Sequence, residues 1–214
     1  MRQGHVHLKR QCKHDVMKKT IAIDIDDVLA LTAQEFISYS NNTWGTKLTI
    51  EDYHEHWAKL WGVSNQEAQK RSDHFHGSGA LDSVRPRSDS LIALRSLKRK
   101  YDLVLVTSRR SITQGTTAQW IQLHYPDLFL EIHHADMWNT ITDQSNHVTK
   151  RDVLEQIGAH YLIDDHLKHC KAAAEAGIDA VLFGNYSWNQ AEILPPRVVR
   201  CVDWQEVLAY FETK

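Results

Sequence analysis

The chain has 214 residues, a length that suits one moderate domain or one core with a small insertion. Its 25 basic and 27 acidic residues leave a formal net charge of -2, which argues against a surface built to bind a nucleic-acid polymer. No apolar run approaches the roughly 18 residues a membrane-spanning helix needs.

Three cysteines, Cys12, Cys170 and Cys201, are widely spaced and form no CxxC pair. Neither a disulfide framework nor a structural zinc knuckle is expected, and a reducing, cytoplasmic compartment fits best. Cys170 falls in an expected helix and reads as a small core residue. Residues 1–19 are basic and His-containing but lack the hydrophobic segment of a secretory signal. They read as a flexible leader, with organelle targeting as the alternative.

From position 20 the pattern changes. Thr20–Ile25 is a β-branched apolar run, broken only by Asp24, and reads as a buried parallel strand. Ala30–Ser40 places Ala33, Phe36 and Ile37 on one helical face. A helix is expected near Ser88–Arg99, where Leu91, Leu94 and Leu97 recur at spacing three, with Pro86 tolerated near its start. Tyr101–Val106 is a second buried strand. A helix over Thr116–His124 ends before Pro126, and Leu128–Ile132 reads as the next strand. Lys150–Ile157 is helical, stopped by Gly158. Tyr161–Ile163 is a strand, His166–Ala176 a helix closed by Gly177, and Ala180–Phe183 a strand. Val198–Val202 and a helix from Trp204 to Phe211 complete the chain. This alternation of strand and helix predicts an α/β fold with a doubly wound, mostly parallel, Rossmann-like sheet.

Two regions break the rhythm. Residues 32–84 are polar and aromatic, with Phe36, Tyr39, Trp44, Tyr53, Trp57, Trp61 and Phe75, and read as a small, mainly helical cap inserted after the first strand. The core then comprises residues 20–31 and 85–214. The second interruption is the His-rich stretch His133–His147, with His134, Asp136, Trp138 and Asp143. It lies between a strand and a helix, where active-site loops often sit.

Three apolar runs end abruptly in polar residues: Asp24-Ile25-Asp26-Asp27, Thr107-Ser108-Arg109 and Asp164-Asp165. In an open α/β sheet such ends gather at the carboxyl edge of the strands. Asp24 and Asp26, two apart, face the same side in an extended segment. One carboxylate can attack phosphorus and form an aspartyl-phosphate. The other can protonate the leaving oxygen and then activate water. Asp27 is a candidate for satisfying backbone donors of the turn. Thr107 and Ser108 suit phosphate oxygens. Lys150, at a helix start where the backbone dipole does not favour a cation, can offset phosphoryl charge. Asp24, Asp164 and Asp165 offer hard oxygen ligands for octahedral Mg²⁺; without a cation these clustered carboxylates would repel one another. Blander roles stay open: helix capping for Asp164, Asp165, Thr107 and Ser108, a solvated surface for Lys150, and a structural salt bridge for Arg109 as readily as substrate orientation.

Taken in order, Asp24-Ile25-Asp26-Asp27-Val28-Leu29, Thr107-Ser108-Arg109, Lys150 and Asp164-Asp165 resemble the four motifs of the haloacid-dehalogenase-like superfamily. The resemblance spans Thr20 to about Phe183. It implies Mg²⁺-dependent phosphoryl-transfer chemistry on a Rossmann-like core. It also implies Asp24 as nucleophile, Asp26 as general acid/base and, through its carbonyl, metal ligand. Thr107 and the Ser108 backbone would hold the phosphoryl group, with Lys150 stabilising it. Asp165 would be the direct metal ligand and Asp164 a supporting one. Within the superfamily, TIAIDIDDVLA, YLIDDH and AVLFGNYSWN are similar to the 5'(3')-deoxyribonucleotidase group and its bacterial relatives. In that group a helical cap supplies aromatic contacts to a nucleobase, and Phe36, Trp44, Trp57, Trp61 and Phe75 are available for such a wall. The His-rich stretch departs from the pattern.

The 14 histidines include no HExxH helix and no ligand set with a cysteine, so a dedicated zinc site is not expected. The chain therefore reads as a Mg²⁺-dependent phosphatase of a small phosphorylated metabolite, a (deoxy)nucleoside monophosphate first, a sugar phosphate or another phosphometabolite second. The contrasting expectation is a catalytically silent interaction protein that keeps the fold. The oligomeric state is not legible.

Overall fold

The computed structural model describes residues 18–135 and 148–214. Of the expected leader, residues 1–17 lie outside the described residues, as do Asp136, Trp138, Asp143 and His147 of the His-rich stretch. Among the described residues six strands form one sheet: β1 (Lys19–Ile23), β2 (Tyr101–Thr107), β3 (Ile132–His134), β4 (Tyr161–Asp164), β5 (Asp179–Phe183) and β6 (Val198–Cys201). Every neighbouring pair is parallel, in the order β3-β2-β1-β4-β5-β6. Successive strands first step one way from β1 and then, at β4, the other way. The crevice at such a reversal is where open α/β sheets bind ligands.

Both faces of the sheet are covered, which is why its strands read as continuous apolar runs. Ile21, Ile23, Leu103, Leu105, Ile163, Val181 and Phe183 face one core. That core is completed by α4 (Ser90–Leu97), α5 (Gln114–His124) and α8 (Trp204–Glu212). Ala22, Val104, Val106, Leu162, Ala180 and Leu182 face the other, under α6 (Lys150–Gln156) and α7 (Leu167–Glu175). Cys170 is fully enclosed there, its thiol near the carbonyls of Asp164 and Val181; it and Cys201 are both free. Among the described residues no helix is long and apolar enough to cross a membrane.

One strand is displaced from its expected place. Leu128–Ile132 carries the apolar run, but the ladder to β2 forms at Ile132–His134. Leu128 is drawn instead into the core beside Tyr125, after a turn in which Asp127 takes φ 59°. Leu128 and, in part, Phe129 thus fill the edge of the core while Leu130 is exposed, and the backbone meets β2 from Leu130 onward.

Between β1 and β2 the chain inserts α1 (Thr32–Trp44), α2 (Trp57–Trp61) and α3 (Asn65–Gly77), which form the helical cap. Phe36, Trp61, Ala68 and Phe75 join the core on the α4/α5/α8 side, so the cap shares that core. Phe36 alone stands within 5.6 Å of the rings of Tyr53, Trp57, Trp61 and Phe75.

The loop leaving β1 is pinned with unusual completeness. Three consecutive backbone carbonyls each accept a bond from an aromatic side chain: Asp27 from the Tyr186 hydroxyl (2.7 Å), Val28 from Trp204 Nε1 (3.0 Å) and Leu29 from the Tyr125 hydroxyl (2.9 Å). The donors come from the segment after β5, from α8 and from the end of α5. Buried carbonyls need such partners. Trp204→Phe keeps a ring in place but leaves the Val28 carbonyl unsatisfied. A loss of about 1–3 kcal/mol in unfolding free energy is expected by denaturant titration, and an unchanged midpoint would show that the indole donor is dispensable.

Candidate active site

The carboxyl ends of β1 and β4 lie side by side. The ladder runs on past β1, with the Asp24 amide donating to the Ile163 carbonyl at 2.9 Å, so Asp24 sits directly beside the Asp164-Asp165 pair. Lys150 reaches between them from the first position of α6, whose N-cap is Thr149. Its ammonium lies 2.9 Å from Asp24 Oδ1 and donates to Asp164 Oδ2 at 2.7 Å. All four residues are buried: Asp24 and Asp165 at 4% exposure, Lys150 at 2% and Asp164 at 0%. A solvated role for Lys150 is therefore ruled out.

Carboxylate oxygens of Asp24, Asp164 and Asp165 lie within 4.8 Å of one another. Asp164 has its needs met by Lys150 and by the His166 amide, which donates to Oδ1 at 2.8 Å. It does not border the cavity described below, whereas Asp24 and Asp165 do. The expected helix cap at Asp164 or Asp165 is not found: α7 is capped at His166 with no side-chain bond, and Asp164 instead holds the turn before it while pairing with Lys150. Asp24 Oδ1 is buried with the Lys150 ion pair beside it but no directed hydrogen bond.

The electrostatics follow from this crowding. Burial, opposed by Lys150 and reinforced by Asp164 and Asp26, pushes Asp24 up to about 7. Burial, with Asp164 and Asp24 adding to it, raises Asp165 well above the carboxylate range. At Asp164 burial is outweighed by Lys150, and the group stays ionised. Lys150 is likewise kept charged, because its two carboxylates overcome the cost of burial.

Asp26 is held differently. Arg109 Nε donates to Oδ1 at 3.0 Å and Oδ2 at 3.1 Å, and Nη2 donates to Oδ1 at 2.7 Å. The Thr32 hydroxyl, at the start of α1, donates to the same Oδ1. Burial would raise Asp26, but Arg109 and Thr32 prevail and lower it. Asp27 takes φ 55° and also borders the cavity; both its carboxylate oxygens receive the Ala33 amide at 3.1 and 3.2 Å, so it serves a donor at the start of α1, not of the turn itself. Burial and the Asp26 charge push Asp27 up to about 8.

Thr107 ends β2 fully buried, and its hydroxyl accepts from the Arg109 amide at 3.2 Å. Ser108 borders the cavity, as does Lys150; Thr107 does not.

That cavity, about 840 Å³, runs from the acids into the cap. Its size suits a small-molecule ligand. Phe36, Trp57 and Phe75 border it together with Tyr53. Trp44 and Trp61 do not. They pack behind, with Arg71 over both rings (5.1 and 5.8 Å) and Trp61 Nε1 donating to the Ser40 hydroxyl at 3.1 Å. The cap has to bury aromatic area to stay folded, and these two residues serve that need. One face of α3 adds polar groups to the wall: Asn65, Gln69, Ser72 and His76. His76 Nδ1 lies 2.7 Å from the Ser72 carbonyl, which can only accept. The proton is therefore on Nδ1 and Nε2 is an acceptor; burial lowers the ring's pKa and keeps it neutral.

Sequence reasoning left Arg109 undecided and used the segment after β5 only for its family resemblance, assigning none of its residues to the site. Trp188 Nε1 donates to Asp165 Oδ2 at 2.7 Å, and Asn189 Nδ2 bridges the carbonyls of Asp165 and Phe183 at 2.9 Å each. Trp188 stacks on Tyr186 at 4.4 Å and meets Tyr53 of the cap edge-on at 5.0 Å. Gly184 permits this turn: at φ 80° a Cβ would run into the Tyr186 ring. The available signal was Gly184-Asn185-Tyr186-Ser187-Trp188-Asn189 directly following a buried strand, hence at the same sheet edge.

A family model described as 5' nucleotidase, deoxy (pyrimidine), cytosolic type C protein matches residues 18–211. No curated protein matches the chain. Among solved structures, a haloacid dehalogenase-like family hydrolase from Streptococcus pneumoniae shares the fold with TM-score 0.67 at 17% identity, covering 91% of this chain and 98% of its own. A protein described as a predicted phosphatase from Clostridium acetobutylicum gives TM-score 0.64 at 15% identity, over 92% of this chain and 100% of that one. Another, described as a predicted phosphoglycolate phosphatase from Haemophilus somnus, gives TM-score 0.63 at 16% identity, over 91% and 98%. With the fold, the buried acid cluster and a family match over most of its length in place, the protein is a phosphohydrolase of the haloacid-dehalogenase-like superfamily and belongs to the 5' nucleotidase, deoxy (pyrimidine), cytosolic type C family.

Proposed function

We propose that the protein hydrolyses a nucleoside monophosphate through a phosphoryl group carried on Asp24, with Mg²⁺ as its metal. The observation that carries this reading is the continuity of one cavity, acidic at the sheet edge and aromatic in the cap. A phosphate ester placed with its phosphorus at Asp24 would extend its leaving group along the wall formed by Phe36, Tyr53, Trp57 and Phe75. Such rings suit the faces of a nucleobase, and Asn65, Gln69, Ser72 and the His76 acceptor suit its polar edges.

The donor set fits a hard divalent cation. Asp24 and Asp165 are enclosed carboxylates; among the described residues Lys150 pairs with Asp24 and Asp164 while Asp165 has the His166 ring at 3.8 Å, and the affinity of both acids for protons marks an excess of negative charge. Asp24, Asp165 and the Asp26 carbonyl would hold the ion, with Asp164 supporting. When bound, Mg²⁺ would neutralise this charge and polarise the phosphoryl group. The chain's own groups would do the rest. Asp24 attacks phosphorus; Lys150 and the backbone around Ser108 balance the phosphoryl oxygens. Asp26 hands a proton to the leaving oxygen, then takes one from the water that attacks the acyl-phosphate. Its pair with Arg109 keeps it ionised in the free enzyme, the form that accepts a proton. To donate, Asp26 must first take a proton from solvent through the open cavity as the ester binds, the ester's negative charge opposing the pull of Arg109.

Phosphate release measured with and without Mg²⁺ should show metal-dependent turnover that Asp24→Asn abolishes; turnover in the mutant would contradict the nucleophile. Nucleoside monophosphates should be preferred over sugar phosphates, and Trp57→Ala should erase about tenfold of that preference. Preference for sugar phosphates instead would assign the cap wall to another phosphometabolite.

Stability should report the metal independently. Asp24 holds its proton up to about 7 in the folded chain but loses it near 4 when unfolded. The metal-free protein should therefore lose stability as pH rises from about 4 to about 7. Mg²⁺ binds the ionised form, so the rise in melting temperature it produces should grow across the same window. A Mg²⁺ effect that is absent or independent of pH would contradict the proposed ligand set.

A further inference from the structure

We propose that Arg109 is the positioning residue for Asp26: its guanidinium, braced from α5, fixes the plane and direction of that carboxylate and does not itself bind the substrate phosphate. The proposal rests on the reading of Asp26 as the proton-transfer group.

Four observations carry it. First, the pair is asymmetric: the Arg109 side chain is 3% exposed and the Asp26 side chain 31%, so the cation is enclosed and the carboxylate is the open partner. Second, the contact is a fork. Nε and Nη2 both engage Asp26, and a planar guanidinium held to a planar carboxylate in this way sets orientation as well as charge. Third, Arg109 is itself fixed from behind. Its Nη1 donates to the Thr117 hydroxyl at 3.4 Å, and its guanidinium lies 6.0 Å from the ring of buried Trp120, both on α5. Its amide is tied to Thr107 Oγ1, so the arginine is also registered against the end of β2. Fourth, Thr32 holds the same carboxylate oxygen from the first residue of the cap. Asp26 is thus clamped between core and cap, and the rotational freedom it would otherwise lose during reaction is lost on folding. Arg109 borders the cavity, yet one N–H on each of Nε, Nη1 and Nη2 is directed at Asp26 or Thr117; the second N–H on each Nη is what a phosphate-binding role would use, and the experiment below separates the two.

Leaving-group dependence separates positioning from phosphate binding. The experiment compares wild type, Arg109→Ala, Arg109→Lys and Asp26→Asn, each with Mg²⁺, on two esters. One is an alkyl phosphate, whose leaving oxygen needs a proton. The other is p-nitrophenyl phosphate, whose leaving group does not. Arg109→Ala and Asp26→Asn should both lower alkyl-ester kcat by about a hundredfold or more, with KM nearly unchanged. Both should still release a rapid stoichiometric burst of p-nitrophenol, followed by slow turnover, because Asp24 can be phosphorylated without an acid but water is no longer activated. Added guanidinium should restore activity to Arg109→Ala and not to Asp26→Asn. Arg109→Lys should recover only part of the loss, since an ammonium cannot fork.

A KM increase for both esters in Arg109→Ala would overturn the proposal in favour of phosphate binding. Loss of the burst together with alkyl turnover would overturn it in favour of a merely structural role. Should the arginine variants fail to fold, Thr117→Val removes the brace and spares the charge pair. It should reproduce the leaving-group pattern in weaker form, and wild-type behaviour there would count against positioning. If Asp26→Asn itself leaves alkyl-ester turnover intact, the role assigned to Asp26 fails. If Asp26→Asn shows the pattern and Arg109→Ala does not, only the positioning role of Arg109 fails.

Discussion

A single buried ammonium, that of Lys150, stands between the carboxylates of Asp24 and Asp164. Enclosed charges persist in a protein only when paired, and removal of one partner leaves the others uncompensated. This lysine joins two neighbouring strands at the point where the winding of the sheet reverses. It keeps Asp164 ionised and still leaves Asp24 and Asp165 with more negative charge than the site can balance. That residual charge is the physical origin of the chemistry. It suits a divalent cation, and such a cation beside the cavity-facing carboxylate of Asp24 would suit an anionic ester.

The rest of the molecule holds this arrangement open to one side. Aromatic donors from three segments fix the carbonyls of Asp27, Val28 and Leu29, so the loop that carries Asp26 cannot drift when the cap is loaded. Cap and core also meet at the mouth of the cavity. Lys168 of α7 pairs with Glu55, Arg110 pairs with Asp73 of α3 at 2.6 Å, and Tyr53 abuts Trp188. Trp188 in turn binds Asp165, so the cap wall and the acid cluster are mechanically connected through one indole.

Much of this was legible in the sequence, for identifiable reasons. Strands covered on both faces must be apolar throughout, so β1, β2, β4 and β5 stood out, and their polar ends marked the carboxyl edge. Lys150 was found because a lysine at a helix start has no local reason to be there. What could not be read depended on three-dimensional placement. A salt bridge between Arg109 and Asp26 spans 83 positions, and nothing local distinguishes it from a substrate contact. The cap aromatics share one composition, yet Phe36, Trp57 and Phe75 face the cavity while Trp44 and Trp61 pack behind it. The strand expected at Leu128–Ile132 begins later because Leu128 goes into the core beside Tyr125 and not into the ladder.

The most direct test is to trap the covalent intermediate. Enzyme with Mg²⁺ and a nucleoside monophosphate, quenched in acid during turnover and digested, should yield the peptide containing Asp24 carrying one acid-stable, hydroxylamine-labile phosphoryl group, absent from Asp24→Asn. Phosphate found on another residue, or turnover with no trapped phosphoprotein under any quench time, would contradict attack by Asp24.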